Sequence, residues 1–166
     1  MSVKKILIFF VLVIFSSNAS AVTPRSTGKY KNWESFIVET DKGKICFAQT
    51  VPTKRAPASI ERDKSKLFVT FRPSDEIKDE VSLTSGHDYK TSSVIVSSGK
   101  RRYSFFSQKN FAWLLDDQEE KKFIQLMKKA TDIIVKARTA KGAETTDHYS
   151  MMGFTKAYNT AKKTCS

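Results

Sequence analysis

The sequence predicts a mainly β domain, either an antiparallel β-sandwich or a strongly curved sheet of about seven to eight short strands, with two helices in the C-terminal half. The alternative is an α+β domain in which one open sheet is covered by both helices. Three observations carry the prediction. Short stretches of period-two alternation recur, as in KLFVTFR, where Leu67, Val69 and Phe71 fall on one face and Phe68, Thr70 and Arg72 on the other. Turn-forming residues punctuate them at Asp41-Lys42-Gly43, Pro73, Ser97–Lys100 and Lys141-Gly142. Apolar residues at helical spacing occur in two stretches, and both lie beyond Trp113.

In chain order, Met1–Lys5 form a basic start, Ile6–Phe15 an unbroken apolar run, and Ser16–Ala21 a small, mostly polar end. The apolar run is about ten residues, roughly half of what a spanning helix needs, so residues 1–21 read as a signal peptide cleaved after Ala21. Residues 22–32 read as a flexible polar lead. A single β-rich domain is expected over 33–165, since a chain of this length supports one core and not two.

Within it, Trp33–Thr40 and Ile45–Gln49 make a hairpin, and Pro52–Lys66 a long loop with prolines, charges and no periodicity. KLFVTFR, EVSLTS and the pair of strands in SSVIVSSGKRRYSFFS follow. The first helix is signalled by Asp117 and Glu120 at capping-box spacing, the stripe Phe123, Leu126, Met127 and Ala130, and Lys128 and Lys129 at its end. DIIVKART and TTDHYSM are again extended. Gly153 then opens a helix whose Phe154, Ala157, Tyr158, Ala161 and Cys165 recur on one side.

The formal net charge is +12, and loss of Lys4 and Lys5 with the leader leaves 27 basic against 17 acidic residues, a net +10. Export turns that charge away from nucleic acid and towards anionic cell-envelope or host-surface material. No second apolar stretch is long enough to span a membrane in the mature protein. In an oxidising compartment the two cysteines, Cys46 and Cys165, pair as one disulfide. Closing a loop of about 120 residues restricts the denatured chain by roughly 5 kcal/mol on the chain-entropy model. Cys46, His87, His148 and Cys165 lack metal-ligand spacing, no Cys-x-x-Cys pair supports thiol redox chemistry, and no cofactor or metal is expected.

Asp147, His148 and Ser150 bring the letters of a hydrolase triad together, but on a strand Asp147 and Tyr149 share one face while His148 and Ser150 share the other. No Gly-x-Ser-x-Gly elbow exposes a nucleophile, so no catalytic residue is assigned. His87-Asp88 reads as a solvated turn. Asp116-Asp117 and Glu119-Glu120 supply carboxylates of the kind glycoside hydrolysis uses in pairs, but at a helix start, where acids are expected. Trp33 and Trp113 each border an apolar run and read as core. Lys100, Arg101 and Arg102, at a hairpin tip beside Tyr103, Phe105 and Phe106, are the candidate anionic-ligand contacts, because arginine holds phosphate or carboxylate bidentately.

The blocks KGKICFAQ, RDKSKLFVTFRP, DEVSLTSG, AWLLDDQEEKKFIQLMKKA, DIIVKARTAKG and TTDHYSMMGFTKAYNTAKKTC, with Trp33 opening the first strand, carry a resemblance from Trp33 to Cys165. The chain resembles the invasion associated locus B family of exported bacterial proteins. That resemblance implies a periplasmic, envelope-associated or secreted protein of alphaproteobacterial type, mostly β, with no established enzymatic activity and with relatives linked to host-cell entry. Other residue types, arginine among them, stand in the family where this chain has His148, which further weakens a triad. The expectation is thus a non-enzymatic exported protein binding an anionic envelope or host-surface ligand. The alternatives are a periplasmic hydrolase of cell-wall glycan or peptide, and a structural subunit of an envelope complex with an exposed apolar patch.

Overall fold

The computed structural model describes residues 23–166, so the expected leader and its cleavage point lie outside the described residues. The strands are β1 (Arg25–Tyr30), β2 (Trp33–Thr40), β3 (Gly43–Thr50), β4 (Lys54–Ala56), β5 (Lys66–Arg72), β6 (Ile77–Thr84), β7 (Val94–Ser98), β8 (Arg101–Gln108), β9 (Phe111–Trp113), β10 (Asp132–Arg138) and β11 (Glu144–Ser150). Helix α1 (Asp117–Lys129) separates β9 from β10, and α2 (Phe154–Thr164) follows β11. The mainly β class with both helices in the C-terminal half is as expected from the sequence.

All the strands join one antiparallel sheet in the order β1-β2-β3-β5-β6-β9-β8-β7-β10-β11-β4. Its corner is β8, whose Arg101–Phe105 pair with β7 while Phe106–Gln108 pair with β9. The handover turns the sheet back over its own inner face. There the buried Trp33 of β2 donates its indole N–H to the Ser150 carbonyl of β11 at 2.9 Å.

The sheet has 11 strands instead of seven to eight. The additional ones, β1, β4 and β9, are short or polar and show no apolar alternation. Residues 25–30, expected within a flexible lead, are an edge strand on β2. Polar cross-strand bonds hold it, from Ser26 Oγ to Glu34 Oε1 at 2.6 Å and from Thr27 Oγ1 to Ser35 Oγ at 2.9 Å. The expected Pro52–Lys66 loop is irregular except at Lys66, which opens β5, and at β4, which pairs with Thr146–His148 of β11.

Helix α2 covers the inner face of β1–β3. Phe154 meets Trp33 at 4.8 Å between ring centroids, Tyr158 meets Phe71 at 5.5 Å, and Ala157 and Ala161 are buried between them. The Cys46–Cys165 disulfide, with Cα atoms 5.8 Å apart, ties the end of this helix to β3. Gly153 starts α2 at φ +96°, and a Cβ there would lie 1.8 Å from the Tyr30 carbonyl oxygen, so only glycine fits. Helix α1 inserts Phe123 between Tyr103 at 4.9 Å and Phe105 at 5.5 Å. Its N-cap is Asp116, which accepts from the Gln118 and Glu119 N–H groups, one residue before the expected cap.

On the opposite face of the sheet, a row of half-buried rings crosses the strands. Phe36 stacks on Phe47 at 5.2 Å, Phe47 meets Phe68 at 6.1 Å, Phe68 meets Phe111 at 6.5 Å, and Phe111 meets Trp113 at 6.0 Å. The first three of these pairs join different strands, and each stabilises the sheet by up to about 1 kcal/mol, while Phe111 and Trp113 are neighbours along β9.

Candidate functional site

The Asp147-His148-Ser150 segment is β11, and its side chains alternate as expected, with Asp147 and Tyr149 buried and His148 and Ser150 partly exposed. The Asp147 carboxylate is not free to orient an imidazole. Arg62, from the irregular loop, holds it through Nη1–Oδ2 at 2.9 Å and Nη2–Oδ1 at 2.6 Å. Both side chains are closed to solvent, at 2% and 1% exposure. Arg62 also donates to the Ser85 carbonyl at 3.0 Å, so its fork is spent on structure.

His87, expected to be solvated, packs over this pair. Its Nε2 lies 2.9 Å from Thr145 Oγ1 and its ring meets Tyr89 at 5.1 Å; burial lowers its pKa. Burial likewise pushes the Tyr89 phenol up to about 12. Ser150 Oγ accepts the Met152 N–H at 3.2 Å, the local backbone role expected near the strand-to-helix change. The whole cluster is a polar brace joining the loop, the Gly86 turn and β11. Asp63 N–H bonds the Gly86 carbonyl at 2.9 Å, and a Cβ on Gly86 would lie 2.0 Å from the Asp63 carbonyl oxygen.

Lys100, Arg101 and Arg102 are exposed at the β7–β8 turn, with no acidic partner among the described residues. Their aromatic neighbours do not accompany them into solvent. Tyr103 packs against Phe123 and Phe105 is buried, while Phe106 stands exposed at the far, β9-paired end of the strand.

Two concavities are better formed. A groove of about 420 Å³ lies where the β1–β2 turn, the end of α1 and the start of α2 meet. Lys31, Lys128 and Lys156 line it, with Met151 and the half-exposed Met152 along its apolar side. Helix α2 has neither a capping side chain nor an acid in its first turn. Its positive end therefore adds to the lysines. Lys128 Nζ sits 4.2 Å above the Tyr158 ring, which holds that ammonium beside α2.

The second concavity, about 640 Å³, lies between the start of β6, the β8–β9 pair and the first turn of α1. Its key carboxylate is Glu120, 8% exposed, whose Oε1 accepts the Val81 N–H at 2.8 Å. Burial pushes this carboxyl up to about 7; the charges of Glu80, Asp117 and Asp79 add to the rise and the Val81 N–H opposes it. Glu80 Oε2 is held by Arg72 Nη2 at 2.8 Å, and Asp79 Oδ1 accepts the Tyr158 hydroxyl at 2.5 Å. Trp113, read as core, is a half-buried wall of this cleft.

No family model, curated protein or solved structure matches this chain.

The hairpin cations were legible as a run, whereas the groove lysines come from three separate elements. Arg62 gave no signal, sitting among Glu61, Asp63 and Lys64 in a stretch without periodicity. Glu120 was visible as an acid at a helix start, but its turn inward onto β6 was not.

Proposed function

We propose that the chain is an exported, non-enzymatic protein that binds an anionic envelope or host-surface component. The observation that carries this is the groove in which Lys31, Lys128 and Lys156 converge on the uncapped start of α2. Phosphate or carboxylate groups suit such a place, since ammonium point charges and free helix N–H groups both favour an anion. Its volume lies in the usual range for small-ligand sites, and Met152 offers an apolar wall for a stem or ring. The net charge of +10 left by residues 22–166 draws anionic surfaces from a distance, and the Lys100–Arg102 turn supplies an accessory contact. The Cys46–Cys165 disulfide supports an oxidising compartment, periplasmic or extracellular. So does the resemblance to the invasion associated locus B family, which rests on the sequence blocks. Among the described residues, no helix is long and apolar enough to cross a membrane.

The test compares charge reversals in protein lacking residues 1–21. Lys31→Glu with Lys156→Glu is expected to weaken retention by isolated outer membrane or peptidoglycan more than reversal of Lys100, Arg101 and Arg102 together. Equal loss from both sets would reduce the groove to general charge, and no loss from either would remove the proposal.

One observation favours a second reading, hydrolysis of wall glycan or peptide: Glu120 is a buried carboxyl with raised pKa in a cleft beside other acids. That chemistry needs a second carboxylate free to act as base or nucleophile. Glu80 and Asp79 are tied to Arg72 and Tyr158, which leaves Glu76 before β6 and Asp117 at the helix start. Release of soluble fragments from peptidoglycan by the native protein and not by Glu120→Gln would establish hydrolysis.

A further inference from the structure

The cleft beside α1 has the opposite sign to the rest of the molecule. Glu76, Asp79, Glu80, Asp117 and Glu120 line it against Lys78 and Lys121, a local excess of three negative charges in a strongly basic protein. Inside it, Glu120 is left half-satisfied. One oxygen takes the Val81 N–H, and the other, with no hydrogen-bond partner among the described residues, opens to the cleft from a residue only 8% exposed. A buried carboxylate among like charges is stabilised by an added cation, and its free lone pairs show where that cation sits.

Among the described residues, no group of three or more His, Cys, Asp or Glu side chains is arranged to hold a metal ion. The walls ask for something partly apolar. Phe106 is 49% exposed and Leu115 74% exposed, and both stand on this cleft next to Trp113.

The cleft also contains an open strand edge. Ile77 and Glu80 of β6 pair with Arg72 and Thr70 of β5, Lys78 and Asp79 bulge between them with Asp79 at φ +65°, and β9 meets β6 at Ser82 and Leu83. The start of β6 thus has no neighbouring strand on the cleft side, and Glu120, not a strand, takes the Val81 N–H there. An open edge recruits extended backbone, with side-chain pockets supplying the choice of sequence.

We propose that this cleft binds an extended peptide segment carrying a lysine or arginine next to an apolar residue, the cation meeting the free oxygen of Glu120 and the apolar side chain covering Phe106 and Leu115. The site is separate from the lysine groove, so the molecule has one face for anions and one for a basic peptide.

Isothermal titration with a short peptide of alternating leucine and lysine, and with the same peptide acetylated on its lysines, tests this at pH 8 and low salt. Saturable binding of the lysine peptide is expected, weakened at least about tenfold by acetylation and by Glu120→Gln, the scale of one charge-assisted hydrogen bond. Glu120→Gln preserves the acceptor for Val81, and a melting temperature at or above that of the native protein certifies its fold. Leu115→Ser, at an exposed position, should weaken binding without touching the carboxylate. Lys31→Glu should leave peptide binding unchanged. Absence of binding, equal affinity for the acetylated peptide, or full affinity in Glu120→Gln would each overturn the proposal.

Discussion

Glu120 and Asp147 show how differently two buried carboxylates behave. Asp147 is met by a bidentate guanidinium, and losing either partner would strand a buried charge at a cost of about 3–5 kcal/mol. Glu120 has a single N–H donor, and its pKa rises to about 7 from the ordinary 4.5. Below pH 4.5 the carboxyl is protonated in the folded and unfolded chain alike. Between pH 4.5 and 7 the unfolded chain releases a proton that the fold retains, so this residue makes stability fall as pH rises, and the effect is constant above that window. Glu120→Gln should therefore gain stability relative to the native protein as pH climbs through the window, measured by urea unfolding. A difference that does not change with pH would refute the raised pKa. Neither carboxylate's environment was legible in the sequence, because both partners, Arg62 and the Val81 N–H, lie tens of residues away.

At the scale of elements, legibility followed pattern strength. β5 and α2 match their apolar periodicities residue by residue, with Leu67, Val69 and Phe71 buried in one and Phe154, Ala157, Tyr158 and Ala161 in the other. β1 and β4 form because neighbouring strands β2 and β11 present open edges, a tertiary cause that their own residues do not advertise. The strand-to-helix change at Gly153 was legible, and its demand is steric, since the Tyr30 carbonyl occupies the space of a side chain. Gly153→Val should lower the melting temperature sharply, whereas Ser150→Ala, which removes one 3.2 Å hydrogen bond, should shift it little. Calorimetry showing the reverse order would contradict this account of the turn.

At the scale of the molecule, one link joins the C-terminal helix to the sheet covalently. Cys46 and Cys165 close a loop spanning 119 positions, worth about 5 kcal/mol in denatured-state entropy, so reduction should remove a large part of the stability and loosen α2 first. Unchanged denaturant midpoints after reduction would show that packing of Phe154 and Tyr158 suffices. The overall charge and the disulfide were visible in the chain as counts of residues. The lysine groove and the acidic cleft were not, because each is assembled from three parts of the chain brought together by the turning sheet. As proposed, this basic, stapled domain engages anionic surface material. The most direct measurement is retention of the oxidised protein without residues 1–21 by isolated outer membrane and by peptidoglycan across a salt series. Saturable retention by one fraction, fading as salt rises, is predicted; no retention by either fraction even at low salt would contradict the account.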